Sequence, residues 1–504
     1  MKRFISLTAA LLTALCMPAA QILAAEPEDS TVTIDQKAAG HTFTAYQIFE
    51  GSVDDSDGKM IFSNLDWGSS VDTAAFTDQA VGPFTTPFKA DNAPVIADEL
   101  SKMDSQQTLQ AARVLAQYVH TPAASSTGDS AGYELSGLLP GYYLIEDTLD
   151  SSAKDTAASA MILTPVDGSI TITPKDDVPT LTKSVMANKD SVYKIQNDTE
   201  TMTWTNTADY SEGDVIDYRM EVTVPASAKY YSEYSMSISD IIPTGLTLDT
   251  GSVMITAEDG NGQEANVTSD FQVTEKDGTL EISDANIKKI NVNGTHLYET
   301  SNPKLVITYQ ATLNKNAVLA PDSNDNTAQL TYSDTPTDTA HTGQTEKVTA
   351  GVYTFEVDLH KTDEQGKALT GAGFTLYKKE SGVFKEVAVE NTANVSDFTF
   401  KGLGSGTYKL VESTTPDGYN TMKDIEFTIT ASYDGIDIHH MRLSNVEFNG
   451  MDGEQDNIGQ MRVTIENRSG AILPKTGSSV LLILLVIGAA LIAYGVYAKR
   501  KESR

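Results

Sequence analysis

The residue types that most often carry catalysis or bind metals are scattered in this sequence. Its seven histidines lack the spacing of a metal site, and the adjacent His439 and His440 would point to opposite faces of a strand. The acidic run 54–58 lacks the spacing of a calcium-binding loop, and the sequence has no nucleophile elbow or phosphate-binding loop. We therefore expect no enzymatic activity on an external substrate, no cofactor and no metal.

The chemistry that the sequence does offer lies at its C-terminal end. The pentapeptide Leu473-Pro474-Lys475-Thr476-Gly477 precedes an apolar run, 480–498, which is long enough to cross a bilayer as a helix. A basic tail follows, which would remain in the cytoplasm; it consists of Lys499, Arg500, Lys501 and Arg504.

This order of elements resembles the cell-wall sorting signal of Gram-positive surface proteins. The resemblance implies that a sortase cuts between Thr476 and Gly477 and passes the Thr476 carbonyl to an amine. The alternative is an ordinary membrane anchor with a chance pentapeptide.

The N-terminal end predicts export. Lys2 and Arg3 precede an apolar run, 5–20, and small residues follow at 24–25, so we expect a signal peptide over 1–25. The only cysteine, Cys16, lies in that segment. The mature protein would then have no thiol, and it must be held together by ordinary cores or by another kind of cross-link.

Length and composition indicate several acidic globular domains. The chain has 504 residues and a formal charge of −33, which argues against nucleic acid and anionic membrane surfaces as partners. A hydrophobic content of 40% with 21 tyrosines argues against a disordered stalk.

Hydrophobic periodicity divides the chain between its ends into three domains. The predicted order is an α+β domain over 26–176, a β-sandwich over 177–350 and a second β domain over 351–470, before the sorting signal at 471–504. The first domain combines alternating strands with helical spacing between Pro94 and His120. The predicted fold class is therefore mainly β, with tandem immunoglobulin-like sandwiches after an α+β domain and a C-terminal transmembrane helix.

The first domain ends in Val166 to Lys175, whose aliphatic spacing and Pro174-Lys175 pair are similar to the pilin motif of Gram-positive backbone pilins. The resemblance implies that Lys175 accepts the acyl-threonine of another subunit. Thr173 stands where the family has Tyr, and Asp176 where it often has Asn. An acceptor lysine must be exposed on a semi-rigid element; the alternative is an interdomain lysine without a role.

The third domain resembles a CnaB-type domain through three segments, 360–363, 410–419 and 465–467. Such domains join a lysine and an asparagine by a self-formed isopeptide bond, and the resemblance assigns the bond to Lys361 and Asn467 with Glu412 as proton carrier. Burial lowers the pKa of a lysine and raises that of a carboxylic acid, so a neutral amine can attack the carboxamide while ammonia leaves. The alternative is three ordinary structural residues.

The middle domain resembles the CnaA-like domain of backbone pilins, which implies a bond between Lys183 and Asn326 with Asp240 as the acid. Asn324 is a competing acceptor, and Asp240 could instead begin a turn. For the first domain, Glu146, Asp176 and Lys37 form only a doubtful set, and we expect no bond there.

Taken together, the resemblance to a SpaA-type backbone (major) pilin subunit covers nearly the whole chain. It implies a secreted surface fibre anchored in the cell wall, whose precursor spans the plasma membrane. The implied partners are a pilin-class sortase, other copies of the chain, minor pilins and peptidoglycan, and host surface ligands are a further class. The alternatives are a monomeric wall-anchored adhesin and a minor pilin.

Overall fold

The computed structural model describes residues 29–502, with gaps at 57–58, 128–131, 152, 154, 197, 393 and 471–478. The predicted signal peptide, with Cys16, and the pentapeptide from Leu473 to Gly477 lie outside the described residues.

The first domain contains two sheets and two helices. Its strands are Ser30–Ile34, His41–Ser56, Lys59–Trp67, Ala124–Thr127, Tyr133–Leu138, Gly141–Leu149, Ile162–Val166 and Ser169–Ile172. Its helices are Ala93–Ser101 and Ser105–Leu115, with short 3-10 turns at Thr73–Ala75 and Ala116–Tyr118. The first strand pairs with Tyr133–Leu138 and, in parallel, with Ser169–Ile172, so the segment that leads to Lys175 is part of a sheet.

The predicted helical region is divided because Asp104 begins a new helix. Its carboxylate accepts from the amides of Gln106 and Gln107, and the Gln107 side chain accepts from the Asp104 amide in return. This reciprocal arrangement is a capping box, which satisfies donors that the first turn of a helix leaves free. The helices pack through Ile96 and Leu115 against the larger sheet.

The middle domain is a sandwich of two sheets around one large core, and the pairing is antiparallel except between Thr207–Asp209 and Val348–Tyr353, which are parallel. The strands of one sheet, in spatial order, are Trp204–Thr205, Leu181–Met186, Val215–Thr223, Lys304–Leu313, Leu246–Glu258 and Glu264–Asn266. Those of the other are Thr207–Asp209, Val348–Tyr353, Asn324–Ser333, Met236–Ile241, Thr279–Asp284 and Gln272–Lys276, with Thr342–Gln344 beside Asn324–Ser333. A small hairpin (Asn291–Val292, Thr295–His296) and 3-10 turns complete the domain, the turns being Ala226–Tyr230, Thr268–Asp270, Ile287–Lys289 and Leu297–Glu299.

The third domain is a second sandwich. Its four-stranded sheet has the order Asp397–Leu403, Phe355–Asp363, Gln460–Asn467 and Glu454–Asn457. The opposing sheet has the order Asp198–Glu200, Val192–Ile195, Ile425–Gly435, Gly406–Thr414, Gly373–Glu380 and Val383–Glu390, with Met441–Asn449 beside Ile425–Gly435.

Three strands cross the predicted domain boundaries: Val192–Ile195, Asp198–Glu200 and Val348–Tyr353. Val192–Ile195 comes from the middle of the chain but pairs in parallel with residues 432–435 of the third domain. Val348–Tyr353 pairs with Asn324–Ser333 and therefore belongs to the middle sandwich, although the predicted boundary falls after residue 350. The two sandwiches are thus linked by exchanged backbone hydrogen bonds as well as by the chain.

The prediction of a mainly β chain is confirmed. The C-terminal helix, Ser479–Glu502, covers the predicted apolar span 480–498, whose crossing of a membrane stays a prediction. In the part of the chain that the structure describes, no helix is long and apolar enough to cross a membrane.

Candidate functional site

The third domain brings Lys361, Glu412 and Asn467 together in its core. Lys361 and Asn467 lie on neighbouring parallel strands. The residue opposite Asn467 is Asp363, two residues after Lys361 on its strand. Because alternate residues of a strand face the same side, both side chains point into the sandwich. Glu412 comes from the opposing sheet. The exposed fractions are 0% for Lys361, 5% for Glu412 and 1% for Asn467.

Hydrogen bonds fix the acid and the amide against each other. Asn467 Nδ2 donates to Glu412 Oε1 at 2.7 Å, and the Met422 amide donates to Glu412 Oε2 at 2.8 Å. Lys361 Nζ donates to the Ile465 carbonyl at 3.0 Å. Asn467 Oδ1 is buried without a hydrogen-bond partner. The carboxamide is therefore held by its leaving nitrogen, which faces the acid that could protonate it.

Burial changes the state of the lysine. Desolvation lowers the pKa of Lys361 to about 8, although the negative charges of Glu412 and Glu466 act in the opposite direction. At pH 7 about a tenth of this amine is then neutral, far more than for an ordinary lysine. The neutral amine is the form that can attack a carbonyl carbon.

The middle domain assembles its three predicted residues across the two sheets. Lys183 lies in one sheet, while Asp240 and Asn326 lie on adjacent strands of the other. All three are at most 2% exposed, so Asp240 does not begin a surface turn. Lys183 Nζ lies 2.6 Å from Asp240 Oδ2.

Tyr309 is a member of this site that sequence reasoning missed. Its hydroxyl donates to Asp240 Oδ2 at 2.6 Å and accepts from Lys183 Nζ and Asn326 Nδ2, both at 2.7 Å. The signal was its inward position in the period-two strand Lys304–Leu313, which does not distinguish a polar contact from simple packing. The hydroxyl therefore contacts the lysine, the acid and the amide.

The surroundings of Lys183 are aromatic. Its Nζ lies 5.1 Å from the ring centroid of Tyr309 and 5.5 Å from that of Tyr218, and these two rings stack at 5.3 Å. Burial lowers the pKa of Lys183, against the opposing effect of Asp240. Burial also raises the pKa of Tyr309, and Asp240 adds to that shift.

The rival acceptor Asn324 is placed elsewhere. Its Nδ2 donates to the carbonyls of Val318 and Val352 at 3.1 and 3.0 Å, and its Oδ1 accepts from the Val318 amide at 3.0 Å. These hydrogen bonds use both ends of its carboxamide to hold the backbone at Val318 and Val352. Asn326, two residues later, is the amide that faces the Lys183 site.

Lys175 contrasts with both buried lysines because it is exposed, directly after the buried Pro174. Its amide donates to Ser159 Oγ at 2.9 Å. Its Nζ lies 5.0 Å from the ring centroid of Tyr230, which belongs to the middle domain. It borders a cleft of about 610 Å³ between the first two domains, which is also lined by Arg113, Lys229 and Lys288.

The doubtful set in the first domain is not assembled as a buried triad. Lys37 is exposed, and Asp176 accepts a hydrogen bond from Gln36. The core contains instead a histidine–acid pair, with His41 Nδ1 2.9 Å from Asp147 Oδ2. Where the structure describes side-chain burial in this domain, no lysine is buried.

Comparisons with known proteins match one segment of the chain by sequence and most of the chain by fold. Residues 355–442 match the family model described as SpaA, prealbumin-like fold domain. The trypsin-resistant surface T6 protein of Streptococcus pyogenes serotype M6 is 26% identical over 279 residues, and the match covers 51% of this chain and 47% of the relative. The chain thus matches about half the length of that protein. The solved structure of the T6 backbone pilin of serotype M6 Streptococcus pyogenes has a TM-score of 0.55 and 18% identity, with 88% of this chain and 98% of that one covered.

Proposed function

We propose that this chain is the major structural subunit of a covalent surface fibre. Its match to a SpaA-type prealbumin-like domain and its backbone-pilin fold support this proposal. A pilin-class sortase joins Thr476 of one copy to Lys175 of the next, and the last subunit is attached to peptidoglycan. Self-formed bonds Lys183–Asn326 and Lys361–Asn467 stabilise each subunit.

The observation that carries this proposal is the division of the lysines into two environments. Two consecutive domains each bury a lysine with an acid and an asparagine, while Lys175 is exposed at the junction before them. Burial of a charged lysine costs free energy, so two buried lysines in matching surroundings call for a functional explanation. A cross-link inside the domain and an acceptor outside it account for both environments.

The joining step exchanges one amide for another. A sortase thiol attacks the Thr476 carbonyl, the bond to Gly477 breaks, and the released segment takes a proton on its new amine. The neutral Lys175 amine then attacks the thioester, forms an amide with Thr476 and regenerates the thiol. The reaction needs no cofactor and no redox partner.

The internal bonds follow a related exchange without an enzyme. In the third domain the Lys361 amine attacks the Asn467 carboxamide carbon, and Glu412 takes the proton that the amine loses and passes it to the nitrogen that leaves as ammonia. In the middle domain Asp240 takes the role of Glu412, and the Tyr309 hydroxyl connects it to Asn326.

These bonds define a covalent path for tension. Force that enters at Lys175 reaches Lys183, crosses between the sheets to Asn326, continues to Lys361, crosses to Asn467 and leaves at Thr476. The first domain lies outside this path, which agrees with its lack of a proposed bond. An amide also resists reduction, which suits a mature chain without cysteine.

The test is the high-mass ladder formed when the full chain is expressed with a pilin-class sortase. Lys175→Ala should abolish the ladder and leave the monomer, whereas Lys189→Ala, at another exposed lysine, should leave it unchanged. A ladder that persists in Lys175→Ala would overturn the proposed joint. A wild-type chain that reaches the wall only as monomer would favour the adhesin alternative.

A further inference from the structure

The acceptor lysine lies in a site built by two domains. Lys175 belongs to the end of the first domain, whereas the ring that its ammonium contacts, Tyr230, ends a 3-10 turn of the middle domain. An exposed lysine has four flexible side-chain bonds, so its amine is rarely held in one place. A contact with an aromatic face restricts it.

The backbone on both sides of this contact is fixed. On the first-domain side, the Lys175 amide donates to Ser159 Oγ, and the Ser159 amide donates to Asp147 at 2.7 Å. On the middle-domain side, the Asp177 carboxylate accepts from the amides of Ala226 and Ser227 at 2.6 and 3.0 Å. Asp177, which lies two residues after Lys175, thus holds the start of the turn that ends in Tyr230.

The turn is also tied back to the first domain. Arg113, on helix Ser105–Leu115, donates to the carbonyl of Tyr230. Lys288 donates to the carbonyl of the next residue, Tyr231. The ring of Tyr230 is consequently placed by both domains, and its position relative to Lys175 depends on their junction.

We propose that Tyr230 is the positioning residue of the acceptor site, and that its aromatic face holds the Lys175 ammonium beside the incoming acyl group until the nitrogen loses a proton and attacks. This inference rests on the proposed function, because it assigns a partner to the lysine named there. The reacting amine approaches an acyl carbon in a narrow range of geometries, so an amine held near its attack position reacts faster than a free one. The Tyr230 hydroxyl has no part in this role.

A second cation shares the ring and supplies a control. Lys229 Nζ lies 4.9 Å from the Tyr230 centroid, but its side chain is exposed and it is not the proposed acceptor. Two ammonium groups on one ring compete for it electrostatically. Removal of Lys229 should therefore not weaken the contact of Lys175 with the ring.

The experiment measures acceptor kinetics with the full chain carrying Thr476→Ala, which can accept an acyl group but cannot donate one. A peptide with the sequence Leu473 to Gly477 is the donor, and a pilin-class sortase is the enzyme. Tyr230→Leu should lower kcat at saturating acceptor about 2- to 5-fold with little change in KM, which is the range that an exposed cation–π contact provides. Tyr230→Phe should restore the wild-type rate, and Lys229→Ala should not lower it.

The outcomes separate this inference from the function on which it rests. Acyl transfer that continues in Lys175→Ala would overturn the proposed function itself. Transfer that stops in Lys175→Ala but is unaffected by Tyr230→Leu would overturn only the role of Tyr230. A Phe variant as slow as the Leu variant would also overturn it, because the aromatic face would then be insufficient. Asp177→Asn, which loosens the turn without touching the ring, should reduce kcat in the same direction as Tyr230→Leu, and an unchanged kcat would contradict the placement argument.

Discussion

Replacement of Glu412 by Gln tests the proposed bond of the third domain most directly. Gln keeps the size of the side chain and an oxygen that can accept from the Met422 amide, and its NH2 can donate to Asn467 Oδ1, which has no partner. It cannot supply the proton that the leaving nitrogen needs. We expect the variant to fold and to show one ammonia loss fewer than the wild-type chain.

The size of the effect on stability follows from the loop that the bond would close. Lys361 and Asn467 enclose about 106 residues, and the loop-entropy relation for a cross-link of that size gives about 5 kcal/mol. A domain of about 115 residues unfolds with an entropy of about 0.24 kcal/mol/K, so the midpoint of its thermal transition should fall by about 20 °C. The relation was developed for disulfides, and it depends on loop length rather than on the atoms of the cross-link.

The assay combines intact-mass measurement of the purified chain with calorimetry of the same sample. Glu466→Gln is the matched control, because Glu466 precedes Asn467 on the same strand but is exposed and paired with Arg468. It should lose ammonia like the wild type and melt at nearly the same temperature. Loss of ammonia from Glu412→Gln at the wild-type extent would refute the role of the acid, and an unlinked variant that melts within a few degrees of wild type would refute the loop-entropy argument.

The remaining predictions concern the amide of the middle domain and the titration of Lys361. Asn326→Ala has no carboxamide for Lys183 to attack, so intact mass should show one ammonia loss fewer than in the wild-type chain. Asn324→Ala should still show both losses, and it should be destabilised by about 1–3 kcal/mol in denaturant unfolding, because the carbonyls of Val318 and Val352 lose their donor. Equal masses for the two variants would contradict the assignment. In Asn467→Ala the Lys361 amine stays free. Its free energy of unfolding should then increase as the pH rises from about 8 to the ordinary lysine pKa, because in this window the unfolded chain binds the proton that the folded chain has lost. Thermal melts across that range measure the slope, which should disappear when Lys361→Met is added, and a slope of the opposite sign would contradict the lowered pKa of the lysine.

Local pattern predicted much of the architecture. Period-two alternation located the strands that carry Lys361 and Asn467, because a strand with one buried face must alternate. The helical spacing of the first domain was also visible, although the break at Asp104 was not predicted. Strand exchange between the sandwiches escaped prediction, since the pairing of Val192–Ile195 with residues 432–435 joins segments over 200 residues apart.

The site residues show the same limit. The choice between Asn324 and Asn326 stayed open in the sequence because both occur in one strand with the same inward phase. The structure separates them: one amide satisfies the loop around Val318, and the other faces the Lys183 site. Tyr309 was not singled out from the sequence, because its hydroxyl acquires a role only when two sheets bring an acid and an amide to it.

Residue types and their local order are enough to identify the chemistry that this chain can offer: lysines, acids and asparagines on β strands, a terminal pentapeptide, and no thiol in the expected mature chain. These are properties of residue type and local order, which do not depend on folding. The packing of the folded chain buries Lys183 and Lys361 and leaves Lys175 exposed. Burial and contact depend on how distant strands pack, and that packing placed Lys175 against Tyr230 of the neighbouring domain.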